Sequence, residues 1–239
     1  MIFQHHFPEI KTAFITKKEE PGLGSLASFN HTKTNQERTR VLQNNTLILQ
    51  KYLSLPEINL AMGVQVHSAH VVKTNQAGYH SETDGLITRN PGLAIGVLVA
   101  DCAAVYLYDP HTSIIGILHA GWRGALGRIV PQGIQLMKKE GALPQNIQAS
   151  LSPCISQQAF ETGEEVASRF PDSFIDRCAP KPHIDLKGFI VDQMLQEGLQ
   201  TDHIHKSSEC TFSDSEEYHS YRRDGDKSGR MLAAICLQP

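Results

Sequence analysis

The stretch Leu93-Ala-Ile-Gly-Val-Leu-Val-Ala-Asp-Cys-Ala-Ala-Val-Tyr-Leu-Tyr-Asp-Pro-His-Thr-Ser-Ile-Ile-Gly-Ile-Leu-His119 contains three short apolar runs with two polar interruptions. Residues 93–100, 103–108 and 114–119 each have the length of a buried strand. Asp101-Cys102 separates the first pair of runs, and Tyr108-Asp-Pro-His-Thr112 puts turn chemistry between the second pair. The last two runs are therefore expected to form a hairpin. Hairpin pairs are incompatible with a purely parallel βαβ sheet, so the expected fold class is α+β with mixed sheets.

Working outward, residues 36–54 place Val41, Leu42, Leu47, Leu49 and Leu53 on one side of a helix that ends before Pro56. Residues 64–67 (Val-Gln-Val-His) alternate and predict a strand. Residues 124–140 predict a helix with Ile129, Ile134, Leu136 and Met137 inward, and Pro131 must lie in its first turns or kink it. Further on, 147–151 reads as a strand and 163–170 as a short helix. Residues 186–199 predict an amphipathic helix carrying Phe189, Ile190, Met194 and Leu195 and closed by Gly198. Residues 204–206 and 231–237 finish as strands. Without internal repeats or linkers, residues 1–239 are expected to form one domain.

Composition narrows the function classes. A net charge of −3 argues against nucleic-acid binding by bulk charge. No run approaches the ~18 apolar residues of a membrane span, and the first residues show no secretory pattern. The five cysteines are scattered with no Cys-x-x-Cys pair, which suits a reducing compartment. The expectation is a cytoplasmic protein without membrane or nucleic-acid partners, a monomer or weak homo-oligomer.

Three segments carry metal-competent or reactive residues at the ends of apolar strands: Gln65-Val-His67, Ala100-Asp-Cys102 and His119-Ala-Gly-Trp-Arg-Gly124. Two imidazoles and a thiolate, His67, His119 and Cys102, have the composition of a catalytic zinc site with its fourth position open. The same residues would serve a Cys102/His119 nucleophilic pair, and their wide separation in the chain leaves both readings open. Asp101 sits at the mouth of an apolar strand, where an acid needs a partner or a solvated site. Arg123 offers a planar fork for an anion, and Gly121 and Gly124 permit close backbone approach. Tyr221-Arg-Arg-Asp-Gly-Asp-Lys-Ser-Gly-Arg230, with Arg222, Arg223 and Arg230, reads either as a phosphate-binding loop or as a solvated turn. His5, His6, His203 and His205 read as surface or strand-edge residues.

Taken together, these segments resemble the YfiH family, also called the multicopper polyphenol oxidase or laccase-domain family. Ser28-Phe-Asn30, Asp84-Gly-Leu-Ile-Thr88, Ser152-Pro-Cys-Ile155, Glu209-Cys-Thr211 and Ser228-Gly-Arg230 match further elements of that family in the same order. The resemblance implies a four-layer α/β/β/α fold with His67, Cys102 and His119 as metal ligands. It implies zinc enzymes that phosphorolyse adenosine, inosine, guanosine and methylthioadenosine to the base and ribose-1-phosphate, and that deaminate adenosine. On that reading Asp101 is the candidate proton carrier and Arg123 the phosphate contact. Gln65, Asn30, Arg222, Arg223 and Arg230 become candidate substrate or phosphate contacts. Alternatives within the family are an amidase that edits cell-wall precursors and a copper polyphenol oxidase. The second lacks the paired His-x-His motifs that several coppers need, although one copper could occupy the same three ligands. The chain departs from the family pattern at Ser68 and Ser152, each in place of a glycine, and at Asn45, in place of an arginine.

Overall fold

The computed structural model describes residues 7–18 and 35–239; Ser28-Phe-Asn30, His5 and His6 lie outside the described residues. In chain order the elements are β1 (Ile10–Ile15), α1 (Asn35–Leu53), β2 (Asn59–Gly63), β3 (Val71–Lys73), β4 (Gly78–His80), β5 (Gly85–Thr88), β6 (Leu93–Val99), β7 (Ala103–Asp109) and β8 (Ile114–Ala120). Then follow α2 (Trp122–Leu126), α3 (Ile129–Lys139), β9 (Gln148–Leu151), α4 (Glu164–Ala167), β10 (Ile175–Asp176), β11 (His183–Ile184), α5 (Leu186–Gln196), β12 (Ile204–Lys206), α6 (Tyr221–Asp224) and β13 (Met231–Leu237).

Two mixed sheets result, ordered β1-β13-β6-β2-β4 and β12-β9-β7-β8-β5-β3, with a small β10-β11 ribbon beside them. The expected hairpin is present: β7 and β8 pair antiparallel from Ala103↔Ala120 to Asp109↔Ile114. Alternation along the strands sorts side chains into layers. Leu86, Tyr106, Ile115 and Ile117 of one sheet meet Ile95, Val97, Ala233 and Ile235 of the other in a common core. The opposite face of the first sheet, through Leu60, Met62 and Leu232, packs on Ile48 and Leu49 of α1. The opposite face of the second, through Val105, Leu107 and Leu118, packs on α3 and α5. The layers are thus α/β/β/α, as the resemblance implied. Tyr106 is buried between the sheets, and its hydroxyl donates across the gap to the Ala13 carbonyl at 2.7 Å. This satisfies a polar tip that burial would otherwise penalise.

Several local expectations are corrected. The first strand, β1, and the short β3, β4 and β5 were not anticipated from the sequence. Val64-Gln-Val-His67 is not a strand: β2 ends at Gly63, where a Cβ would stand 2.0 Å from the Thr83 carbonyl oxygen. Leu47 is 65% exposed, whereas Val41, Leu49 and Leu53 are buried as expected, joined by Asn45 and Ile48. Leu195 likewise faces outward. The helix expected over 124–140 is broken by Arg128 in the left-handed conformation, with Pro131 in the first turn of α3, where its missing N–H costs little. Gly198, with φ of +95°, follows α5 as expected.

Ile117→Ala would open a cavity between two sheets that both pack against it. The expected loss is about 3 kcal/mol, and for a chain of this length a Tm lower by roughly 6–12 °C. Leu47→Ala should stay within about 0.5 kcal/mol. Calorimetric melts of both variants check this, and equal losses would contradict the layer assignment.

Candidate metal centre

Three strand ends converge at one edge of the sandwich. The segment after β2 leaves the sheet and is held by one buried side chain, Asp84. Its carboxylate accepts hydrogen bonds from the amides of Val66 (3.1 Å), His67 (3.0 Å) and Ser68 (2.8 Å) and from the Ser68 hydroxyl (2.8 Å). His67 takes a φ of +59° within this cradle, a conformation uncommon for a residue with a Cβ. At the end of β8, His119 is buried and its Nδ1 lies 2.8 Å from Asp84 Oδ1. A carboxylate can only accept, so Nδ1 carries a proton, and in the neutral ring Nε2 keeps its lone pair for the centre. Between β6 and β7 the chain crosses from one sheet to the other through Asp101, φ +80°, and delivers Cys102.

The ligand atoms of His67, Cys102 and His119 lie within 4.8 Å of one another. The two imidazole rings meet edge to face, with centroids 4.9 Å apart. Gly121 makes room for the sulfur: a Cβ there would lie 2.6 Å from Cys102 Sγ and 3.6 Å from His67 Cδ2. Burial alone would raise the Cys102 thiol, but the charge and hydrogen bond of His119, and then those of His67, pull it below the ordinary thiol range. Burial would neutralise the His119 ring, yet the Cys102 sulfur and the Asp84 carboxylate raise its pKa instead. Burial also opposes ionisation of Asp84, and the bonds from His119 and Ser68 outweigh it and hold the carboxyl at about 2. One soft donor and two borderline donors, with a carboxylate behind one imidazole, fit a zinc or copper ion.

The remaining predicted residues separate by what they touch. Asp101, the expected proton carrier, ties three segments together. Its Oδ1 accepts from the Thr211 hydroxyl (2.7 Å), and its Oδ2 accepts from the Ser220 hydroxyl (3.0 Å) and the Arg222 amide (2.6 Å). Gln65, an expected substrate contact, bonds to the end of β6: its amide group donates to the Leu98 carbonyl and accepts from the Leu98 N–H. Arg223 is likewise spent on the fold, donating to the carbonyls of Thr211, Phe212 and Tyr218 and pairing with Asp224. Arg230 donates to the Ser228 and Gly229 carbonyls. Arg222 donates to the Glu161 carbonyl at 2.7 Å and lies 5.6 Å from the Phe160 ring centroid. Arg123 is exposed and stacks 4.1 Å from the Trp122 ring centroid, its fork unused in hydrogen bonds among the described residues. Asn30 lies outside the described residues.

The sequence reading missed Asp84 as a site residue; its signals were an acid directly before a fully buried strand and its place at the head of a family-matching element. Ser68 and Ser152, the departures from glycine, both make hydrogen bonds: Ser68 to Asp84, and Ser152 from the Ala104 amide at 3.0 Å.

The family profile described as multi-copper polyphenol oxidoreductase laccase matches residues 11–238. The chain belongs to this laccase-like YfiH family. Relatives in it include a protein named purine nucleoside phosphorylase from Deinococcus radiodurans, 32% identical over 94% of this chain and 88% of its own. One of the same name from Bacteroides thetaiotaomicron is 33% identical over 90% of this chain and 86% of its own. A protein from an unknown prokaryotic organism named adenosine deaminase RL5 is 32% identical over 80% and 79%. Among solved structures, YfiH from Bacillus licheniformis superposes with a TM-score of 0.83 at 26% identity, covering 98% of this chain and 94% of its own. Among the described residues of this YfiH-family chain, no helix is long and apolar enough to cross a membrane.

Asp84→Asn would place an amide against donors that need an acceptor. Zinc affinity, measured by competition with a chromophoric chelator, should fall about 10- to 100-fold, the usual cost of removing a carboxylate behind a histidine ligand. An unchanged affinity would contradict the role given to Asp84.

Proposed function

We propose that His67, Cys102 and His119 hold zinc and that the chain is a zinc-dependent purine nucleoside enzyme. Phosphorolysis would be its main activity and adenosine deamination the lesser one. The observation that carries this reading is the convergence of two imidazoles and one thiol, braced by Asp84, in a family whose relatives bear the names purine nucleoside phosphorylase and adenosine deaminase. When bound, the metal supplies Lewis-acid polarisation of an oxygen at its open position. Copper would bind the same donors, by the general order of affinities, so oxidase activity would follow metal loading.

In phosphorolysis a phosphate oxygen bonds to the ribose C1′ as the bond from C1′ to the purine nitrogen breaks, and the base leaves with a proton. Arg123 is the cation suited to hold that phosphate, since its fork is uncommitted and its plane is fixed by Trp122. Asp101 contributes by position: it joins the Cys102 turn to Thr211 and to the start of α6.

A second reading is favoured by one observation, the lowered pKa of the Cys102 thiol. A thiolate nucleophile there would suit an amidase acting on cell-wall precursors, and it would work without metal.

The test is product analysis of adenosine and inosine, each with and without phosphate, using zinc-loaded protein, chelated protein and Cys102→Ala. The expected result is phosphate-dependent release of base and ribose-1-phosphate, with some phosphate-independent inosine from adenosine. Both should fall at least about 100-fold on chelation and in the variant, as for loss of a catalytic metal. Absence of all three products from zinc-loaded protein would overturn the nucleoside reading. Full nucleoside turnover after chelation would overturn the zinc requirement.

A further inference from the structure

Two cysteines outside the metal centre are paired across a short strand contact. Cys154 and Cys210 form an isolated parallel β-bridge, and the Thr211 N–H donates to the Cys154 carbonyl at 3.3 Å. Neighbouring strands lie about 4.7–4.9 Å apart, and a disulfide joins Cα atoms roughly 4.4–6.8 Å apart. Residues paired across strands project to the same face, so the bridge brings the two thiols together. Lys187 is buried, and its Nζ donates to the carbonyls of Ser207 (2.8 Å) and Glu209 (2.6 Å), which fixes the segment leading into Cys210.

The two thiols differ in their surroundings. Cys210 is partly exposed, and its sulfur accepts the Ser156 N–H at 3.3 Å. Burial would raise this thiol, but hydrogen bonds from the side chains and amides of Ser156 and Ser213 bring it down to about 7. Cys154 is fully buried. Burial pushes its thiol up to about 12 against the pull of Lys187, and nearby Cys102, Cys210 and Asp101 add to the rise. A reachable thiolate beside a second, protected thiol is the arrangement of redox-reactive cysteine pairs. Cys178 is more exposed but lacks both features, since its bond to Asp176 raises its thiol.

We propose that Cys210 and Cys154 are a peroxide-reactive pair that closes to a disulfide, a modification site separate from the metal ligands. The Cys210 thiolate attacks one oxygen of hydrogen peroxide and the O–O bond breaks, leaving a sulfenic acid on Cys210. The departing hydroxide takes up the proton that the Cys210 thiol released. The Cys154 sulfur then bonds to the Cys210 sulfur as the S–O bond breaks, and the Cys154 proton leaves with that hydroxyl as water. Two thiols are oxidised and one peroxide is reduced to two waters. The Ile155 N–H donates to the Asp101 carbonyl at 3.0 Å, and the Thr211 hydroxyl donates to the Asp101 carboxylate. The new bond therefore joins the two segments that hold the residue before Cys102. The pair rests neither on the nucleoside reading nor on zinc.

The experiment exposes full-length, zinc-loaded protein to hydrogen peroxide near neutral pH and alkylates the remaining thiols. Linkages are then mapped by peptide mass spectrometry before and after dithiothreitol. Wild type should gain the Cys154–Cys210 disulfide and lose it again on reduction. Cys102→Ser should gain it as well, whatever metal that variant carries. Cys210 should react at least about tenfold faster than Cys178, because more of it is thiolate. In Cys154→Ala, with folding checked by a thermal melt, dimedone should trap the Cys210 sulfenic acid instead. Wild-type protein in which Cys178 oxidises ahead of Cys210, or in which Cys154 stays free or joins another cysteine, would overturn the proposal.

Discussion

The Asp84 carboxylate is where the two halves of the centre are fastened together. It is fully buried, and it accepts from three consecutive amides of the segment carrying His67, from the Ser68 hydroxyl and from the His119 ring. An ionised carboxylate is tolerated in such a place only because its lone pairs are satisfied. The same bonds fix a loop that has no sheet partner and choose the tautomer of a metal-competent histidine. Asp84 is itself held in register, since its N–H donates to the His70 carbonyl and its carbonyl accepts from the His119 amide at 2.7 Å.

Around that carboxylate the sandwich supplies direction. β6 and β7 belong to different sheets, so the chain between them must cross the common core at its edge, and Asp101 and Cys102 are the crossing. The turn needs a positive φ at Asp101, and the His67 cradle needs another at His67. Such conformations cost of order 1–3 kcal/mol each and persist only when neighbours over-determine them. Three donors on the Asp101 carboxylate and a run of amide bonds around His67 are those neighbours. Strain and its compensation therefore coincide at one candidate ligand, His67, and at the residue before another, Cys102.

The legible parts of the chain are those where apolar pattern and local turn chemistry agree. β6, β7, β8, the hairpin, α3, α5 and β13 could all be read because their burial is continuous or strictly periodic. The three ligands were legible as residue types at strand ends, but only as an ambiguous set, because nothing local joins them. Misreadings arose where long-range contacts decide. Val64-Gln-Val-His67 alternates like a strand, yet Asp84 takes its amides and Gln65 spends its side chain on Leu98. Leu47 sits in a helix whose inward face is set by which residues meet β2 and β13, and periodicity alone assigned it to the wrong side. Asp84 was invisible as a functional residue because its partners come from a loop and a strand distant in the chain.

The central claim is that one metal ion sits on His67, Cys102 and His119. The most direct measurement is X-ray absorption at the zinc edge on protein loaded with one equivalent and freed of excess metal. The account predicts one ion per chain with a single sulfur at about 2.3 Å, two imidazole nitrogens at about 2.0–2.1 Å, and one light non-protein scatterer. A spectrum with no sulfur, or with four protein donors closing the shell, would contradict it.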